Sequence, residues 1–207
     1  MKKIGLTLNR ITIESYQEKR DSLDINWIHL FNQLNFFPIL IPSNLLNPEL
    51  FLKEINCDGF ILTGGNDISA SGKNDVPERE NLEHIILTYA KVHYKKVLAV
   101  CRGMQSMNCF LGGKISSIEN HVRTNHQLIV HDNLYPLNNS ANSYHHFGIK
   151  ASELASTLIP MATHQSDGSV EAFRDSSASK IGIMWHPERN QPFHSEDLNL
   201  IKNFFGE

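Results

Sequence analysis

Apolar residues in the first half of the chain come in two alternating rhythms. Short unbroken runs at 2–8, 36–42, 58–65 and 96–100 read as strands. Strands without polar alternation are covered on both faces. Between them the spacing turns helical. Leu23, Trp27, Leu30, Phe31 and Leu34 share one helical face. Asn47 is placed to cap a second helix, with Pro48 at its first position. A third helix covers 77–94, turning Leu82, Ile85, Ile86, Tyr89 and Ala90 inward, and a fourth starts after Cys101. Strands alternating with helices predict a parallel sheet with helices on both faces.

The rhythm breaks after residue 120. Runs at 126–132, 143–150, 169–175 and 180–188 read as strands separated by Asn, Ser, Asp and Gly. They predict added antiparallel strands or hairpins with long loops. Ser195 is placed to cap a last helix, with Glu196 and Asp197 in its first turn. Leu198, Ile201, Phe204 and Phe205 form its inner face. No repeat, linker or low-complexity stretch intervenes. The expectation is a single α/β domain over 1–207. It has three layers and a mostly parallel, flavodoxin-like central sheet, with extra antiparallel strands in its second half.

Composition narrows the class. With 207 residues, 41% hydrophobic and 20% charged, the chain can bury a substantial core. The net charge of −3, with no basic block, argues against a nucleic-acid binder. The 3 cysteines, Cys57, Cys101 and Cys109, lack paired spacing and fit a reducing compartment. The start is too quickly polar for a signal peptide, and no apolar run reaches membrane length. A cytoplasmic protein is expected, without nucleic-acid or membrane partners.

The run at 96–100 ends on Cys101, and the chain turns straight into a helix through Arg102-Gly103. A nucleophile on such a turn stands clear of the sheet at a helix N-terminus. The free N–H groups and dipole there favour a thiolate. The N–H after the nucleophile can face a developing oxyanion. Gly103 and Ala99 keep the turn small. On this segment alone, an inert buried thiol fits as well. His186 and Glu188 then follow an apolar strand two residues apart. In extended chain, positions i and i+2 face one way, and Pro187 between them favours that form. A histidine takes the thiol proton, and a carboxylate behind it fixes the tautomer. Cys57 and Cys109 read as small core residues.

Cys101-Arg102-Gly103-Met104-Gln105, the following "GGK" and His186-Pro187-Glu188 resemble class I glutamine amidotransferase-like proteins. With the stretches 62–69, 142–149 and 167–173, they are most similar to the γ-glutamyl hydrolase branch of cysteine peptidases. The resemblance implies that Cys101 attacks a γ-glutamyl amide and forms a γ-glutamyl thioester. His186 would be general base and then acid, with Glu188 orienting it. The N–H groups of Gly65 and Arg102 would form the oxyanion hole, with Gly64 and Gly65 allowing close approach. Gln105, Ser143, Tyr144 and His145 would hold the glutamyl group. Asp67 would brace the oxyanion loop. Glu171 is either an α-amino contact or a structural residue. No cofactor is implied.

Three positions depart from the branch: Phe147 and Met184 stand where glutamine is usual, and Ala99 where glycine is usual. They leave the leaving group open. The resemblance implies release of L-glutamate and an amine or phosphoramidate. Some such hydrolases serve capsule polysaccharide synthesis, turning γ-glutamyl-CDP into cytidine diphosphoramidate. The alternative is a glutaminase subunit that delivers ammonia to a separate synthase, and only then is a synthase partner expected. The partner is otherwise a small γ-glutamyl compound, and a homodimer is left open. A phosphate would want cations; Arg10, Arg20, Arg79, Arg123 and Arg189 are unranked candidates. His121, His126, His131, His145, His146 and His164 lack the tight spacing of a structural zinc site, so no metal is expected.

Overall fold

In the computed structural model, which describes residues 1–72 and 76–206, the unbroken apolar runs form strands of one sheet, buried except for the run at 36–42, which is a partly exposed edge strand. The first half of the chain contains β1 (Lys3–Thr7), β2 (Asn9–Ile13), β3 (Glu18–Ser22), α1 (Asn26–Leu34), β4 (Phe37–Ile41), α2 (Pro48–Ile55), β5 (Gly59–Leu62), α3 (Pro77–Val92), β6 (Lys96–Val100) and α4 (Arg102–Phe110). The second half contains β7 (Ser116–Ser117), β8 (Val122–Val130), β9 (Ser140–Tyr144), β10 (Phe147–Gly148), β11 (Leu158–His164), β12 (Val170–Asp175), β13 (Lys180–Ile183) and α5 (Ser195–Phe205).

The 9-stranded sheet has the order β4-β1-β5-β6-β13-β12-β11-β8-β9. From β4 to β13 every pairing is parallel. From β13 to β9 every pairing is antiparallel. Strand β13 is therefore the hinge between two kinds of sheet. Helices α1 and α5 cover one face through Trp27, Leu30, Phe31, Ile201 and Phe204. Helices α2, α3 and α4 cover the other through Leu52, Leu82, Ile86, Met104 and Met107. This is the expected three-layer α/β class. Among the described residues, no helix is long and apolar enough to cross a membrane.

Local details follow the sequence with four corrections. The Asn47 side chain does cap α2, accepting the Leu50 N–H at 3.0 Å. The N-cap of α5 is His194, however; Ser195 is the first helical residue and bonds Glu196. Strand β11 was not expected, because Pro160 in its middle removes a ladder donor. A register shift on its pairing with β12 accommodates that residue. The hairpin of β2 and β3 was also missed, since its strands are largely exposed and polar. The run at 143–150 is split, with His145 and His146 between β9 and β10.

Candidate active site

Strand β6 is buried from Val97 onward and delivers Cys101 to the carboxyl edge of the parallel half. Cys101 has φ 51° and ψ −109°, a region that side chains avoid. The turn is held because the Cys101 N–H donates to the Ile183 carbonyl at 2.8 Å. It is also held by packing: a Cβ on Gly103 would overlap the Leu62 carbonyl. Only glycine lets α4 start this close to β5.

Because β13 runs parallel to β6, its end brings His186 to the same edge. His186 Nδ1 lies 2.7 Å from Glu188 Oε1, and both side chains are buried. Asn142 clamps the histidine backbone from both sides. It donates to the His186 carbonyl at 2.8 Å and accepts the His186 N–H at 2.9 Å. Sequence reasoning missed this residue, although it opens the 142–149 stretch. Burial works against an imidazolium at His186. The charge and hydrogen bond of Cys101, then those of Glu188, outweigh it and raise the pKa to about 9. The arrangement can hold a sulfur anion against an imidazolium and deliver that proton to a leaving group.

The loop after β5 is braced from below. Arg79, fully buried on α3, donates to the carbonyls of Thr63 at 2.6 Å and Gly64 at 2.9 Å. Its Nε bonds Glu83 at 3.1 Å, and Arg102 pairs with the other oxygen of Glu83. Arg79 is thus removed from the phosphate candidates. Asn66 bonds the Arg10 N–H and carbonyl, both at 2.8 Å, while its own N–H donates to Asn9 Oδ1. Asn9 and Asn66 therefore carry bracing that the sequence assigned to Asp67, which lies in the cleft wall. Gly65 takes φ +95° beside Asn9.

A cleft of about 290 Å³ opens over Cys101. Gly65, Arg102, Gln105, Tyr144, His145, Phe147, His186 and Arg189 all line it. Two expected substrate contacts do not. A Cβ on Gly64 would lie 2.6 Å from His186 Cε1, so this glycine makes room for the imidazole. Ser143 is fully buried, and its hydroxyl donates to the His121 carbonyl at 2.6 Å. Its strand position turns it away from the cleft. Gln105 Nε2 donates to the Phe147 carbonyl at 2.8 Å, tying α4 to the opposite wall. Glu171 is buried among histidines outside the cleft, which corrects the α-amino alternative.

Among the arginine candidates, Arg10 bonds Asp21 at 3.0 Å, Arg20 bonds Glu18 at 2.8 Å, and Arg123 is exposed outside the cleft. Arg189 lines the cleft mouth, its guanidinium 4.5 Å from the Tyr144 ring centre. A larger apolar groove of about 520 Å³ between α2 and α3 contains none of these residues.

The fold and the site together define the class. A Thermoplasma acidophilum protein described as part of a GMP synthase superposes with a TM-score of 0.75 at 16% identity, over 100% of this chain and 93% of that one. The architecture is that of class I glutamine amidotransferases. The chain matches the Peptidase C26 family over residues 4–188 and belongs to it. This is the γ-glutamyl hydrolase branch to which the sequence pointed, and the chain is an amide-hydrolysing enzyme. It is 29% identical over 206 residues to the gamma-glutamyl-CDP-amidate hydrolase of Campylobacter jejuni subsp. jejuni serotype O:2, covering 98% of this chain and 96% of the relative. It is also 29% identical to Protein NtpR of Enterococcus hirae, over 87% of each chain.

Proposed function

We propose that this enzyme hydrolyses a γ-glutamyl amide whose nitrogen is carried on a cytidine diphosphate. Cys101 sulfur attacks the γ-carbonyl carbon, and the backbone N–H groups of Gly65 and Arg102 receive the developing oxyanion. The C–N bond breaks as His186 gives its proton to the departing nitrogen. The products of this half are a γ-glutamyl thioester and cytidine diphosphoramidate. His186 then takes a proton from water, whose oxygen displaces the sulfur and releases L-glutamate. Glu188 keeps the imidazole oriented in both halves.

The observation that carries the chemistry is the Cys101 turn facing a histidine with a carboxylate 2.7 Å behind it. The substrate assignment is supported by the nearly full-length relative and by the open end of the cleft. There Arg189 and Tyr144 offer a cation and an aromatic face to a nucleotide diphosphate. Gln105 remains the proposed glutamyl contact; Tyr144 stands at the open end, and both ring nitrogens of His145 face other protein groups. Free thiols and a nucleotide substrate fit the cytoplasm.

The test is glutamate release by the purified chain from N-γ-glutamyl cytidine diphosphoramidate, simple γ-glutamyl amines and L-glutamine. Turnover of the nucleotide compound alone is expected. Arg189→Ala should raise its KM about 10-fold or more, the loss expected for a charged hydrogen bond, and change turnover of γ-glutamyl amines far less, through the Arg189 Nε that lies 3.9 Å from Glu188 Oε1. The likeness to a synthase component favours a second outcome, turnover of glutamine only with a synthase added. That result would replace the hydrolase reading.

A further inference from the structure

Four side chains outside the catalytic group converge in the antiparallel half of the sheet. His121 precedes β8, His126 lies on β8, His145 follows β9 and Glu171 lies on β12. All are buried, none more than 4% exposed. One oxygen, Glu171 Oε1, faces a nitrogen of each ring: His126 Nδ1 at 3.4 Å, His121 Nδ1 at 3.6 Å and His145 Nε2 at 3.8 Å. The four atoms lie within 4.8 Å of one another.

These contacts are not hydrogen bonds. Among the described residues, none of the three nitrogens has a hydrogen-bond partner, and neither does His126 Nε2 or Glu171 Oε2. Leaving a buried polar atom unpaired costs about 1–3 kcal/mol, so several in one place need an explanation. The outer bonds deepen the problem. His145 Nδ1 lies 2.9 Å from the Phe147 carbonyl oxygen. A carbonyl only accepts, so Nδ1 carries the proton and Nε2 presents a lone pair. His121 Nε2 lies 2.7 Å from Asp167 Oδ2 and donates to it, so Nδ1 presents a lone pair when the ring is neutral and a proton when it is an imidazolium. With His121 neutral, two lone pairs and a carboxylate oxygen stand within 4.8 Å of one another. Electron-rich atoms arranged this way call for a cation between them.

The geometry points to a structural Zn²⁺ site formed by His121 Nδ1, His126 Nδ1, His145 Nε2 and Glu171 Oε1. Zinc bonds of about 2.0–2.1 Å to nitrogen and oxygen give a tetrahedron with edges of about 3.3–3.4 Å. The edges from Glu171, at 3.4 to 3.8 Å, reach that size by a contraction of at most about half an ångström. Three imidazoles and one carboxylate suit zinc rather than magnesium or calcium. Four protein ligands close the site, so the ion is structural.

Its outer shell is already in place. Zinc-bound histidines pass their second N–H to a carboxylate or a backbone carbonyl, as His121 and His145 do here. Asp167 is itself fixed by the Ser169 N–H at 2.9 Å and hydroxyl at 2.8 Å. The ligands come from three segments whose spacing carries no zinc pattern, which is why no metal was expected from the residue spacing. The ion would fasten β8 and β12 across β11. It would also brace the catalytic cleft, because His145 Nδ1 and Gln105 Nε2 share the Phe147 carbonyl.

The test strips the purified full chain with chelator and titrates it with Co²⁺, then Zn²⁺. One Co²⁺ per chain is expected, with tetrahedral ligand-field absorption that Zn²⁺ abolishes. Cys101→Ala should bind identically. His126→Ala and the isosteric Glu171→Gln should each weaken binding by more than the roughly 10–100-fold that an outer-shell loss costs. Circular dichroism checks the fold of each variant, and Glu171→Gln serves if His126→Ala does not fold. Zn²⁺ should raise the unfolding temperature of the wild type and not that of Glu171→Gln. Absence of stoichiometric binding at micromolar metal, with His121 doubly protonated by NMR, would overturn the proposal: a proton would then fill the gap. Binding that survives both ligand variants, or that disappears in Cys101→Ala, would overturn it too.

Discussion

The Cys101 cleft and the His121–Glu171 cluster both bury histidine beside glutamate, yet they pair their polar atoms differently. In the cleft, one imidazole meets one carboxylate at 2.7 Å. That is hydrogen-bond distance, so the pair shares a proton and leaves the far edge of the ring for sulfur. In the cluster, three imidazoles stand 3.4 to 3.8 Å from one carboxylate oxygen. That is too long for a shared proton and close to the edge of a metal tetrahedron. The residue types are alike; the spacing separates proton transfer from ion binding. The surroundings agree. The first group sits where a parallel strand opens into a cleft, the second where four antiparallel segments close over it.

The largest effect should come from Cys101→Ala. Loss of a nucleophile costs up to about 10⁶ in kcat in well-studied hydrolases, and a loss of that order is expected in glutamate release. The same variant should leave metal binding untouched. Turnover within tenfold of wild type would sink the cysteine mechanism. Glu188→Gln comes next. It keeps the shape but fails to hold the imidazole in its donating tautomer, which cost about 10⁴ in an analogous triad. A drop of about 10²–10⁴ in kcat is expected, with KM little changed. Glu171→Gln makes the opposite case: its first effect is on metal binding, and turnover falls only as the cleft wall loosens. Equal losses of turnover in the two variants would erase the distinction.

These two groups were not equally legible. The alternation of apolar runs with helical spacing revealed the parallel half, because buried strands and their covering helices differ in period. Cys101 was legible from the abrupt switch of period at one residue, and His186–Glu188 from their i, i+2 spacing. The cluster was not. His121, His126, His145 and Glu171 meet only because β8, β9 and β12 adopt a register set by long loops and by the irregular pairing of β11. Nothing within any one segment encodes that meeting. Arg79, left among the unranked phosphate candidates, misled in another way. An i, i+4 pair on a charged helix resembles surface decoration. Here Arg79 and Glu83 are both wholly buried and hold the loop carbonyls. Ser143 was misplaced because the resemblance assigned its stretch to the glutamyl group, whereas its place in β9 turns the hydroxyl to the His121 carbonyl.

A smaller effect tests how tightly the catalytic half is packed. Gly103→Ala places a methyl group against the Leu62 carbonyl at the start of α4. Overpacking of this kind typically costs about 1–3 kcal/mol. The urea midpoint should fall accordingly, and turnover should fall with it, because the turn carrying Cys101 has to shift. Gly72 lies in open space, though with φ +80°, so alanine there costs only local backbone strain and should leave turnover unchanged. Equal loss of turnover in the two variants would mean that the elbow does not depend on this contact.

The smallest effect is also the most specific to the pairing at His186. Burial alone would lower its pKa below the ordinary 6.5; Cys101 first, and Glu188 after it, raise it to about 9. The folded chain therefore keeps a proton that the unfolded chain releases above pH 6.5. The resulting stability is fully present below pH 6.5 and is lost as pH rises through about 9. Activity should follow the same limb, because the departing nitrogen needs the imidazolium proton: kcat/KM is expected to fall above about pH 9. In Cys101→Ala the leading cause of the rise is gone. The His186 midpoint, read from its ring carbons by NMR, should move down toward 6.5, and stability should depend less on pH between 6.5 and 9. Should the midpoint stay near 9 without the sulfur, the imidazolium would belong to Glu188 alone. Proton sharing in the cleft would then stop at the 2.7 Å pair, with Cys101 outside it.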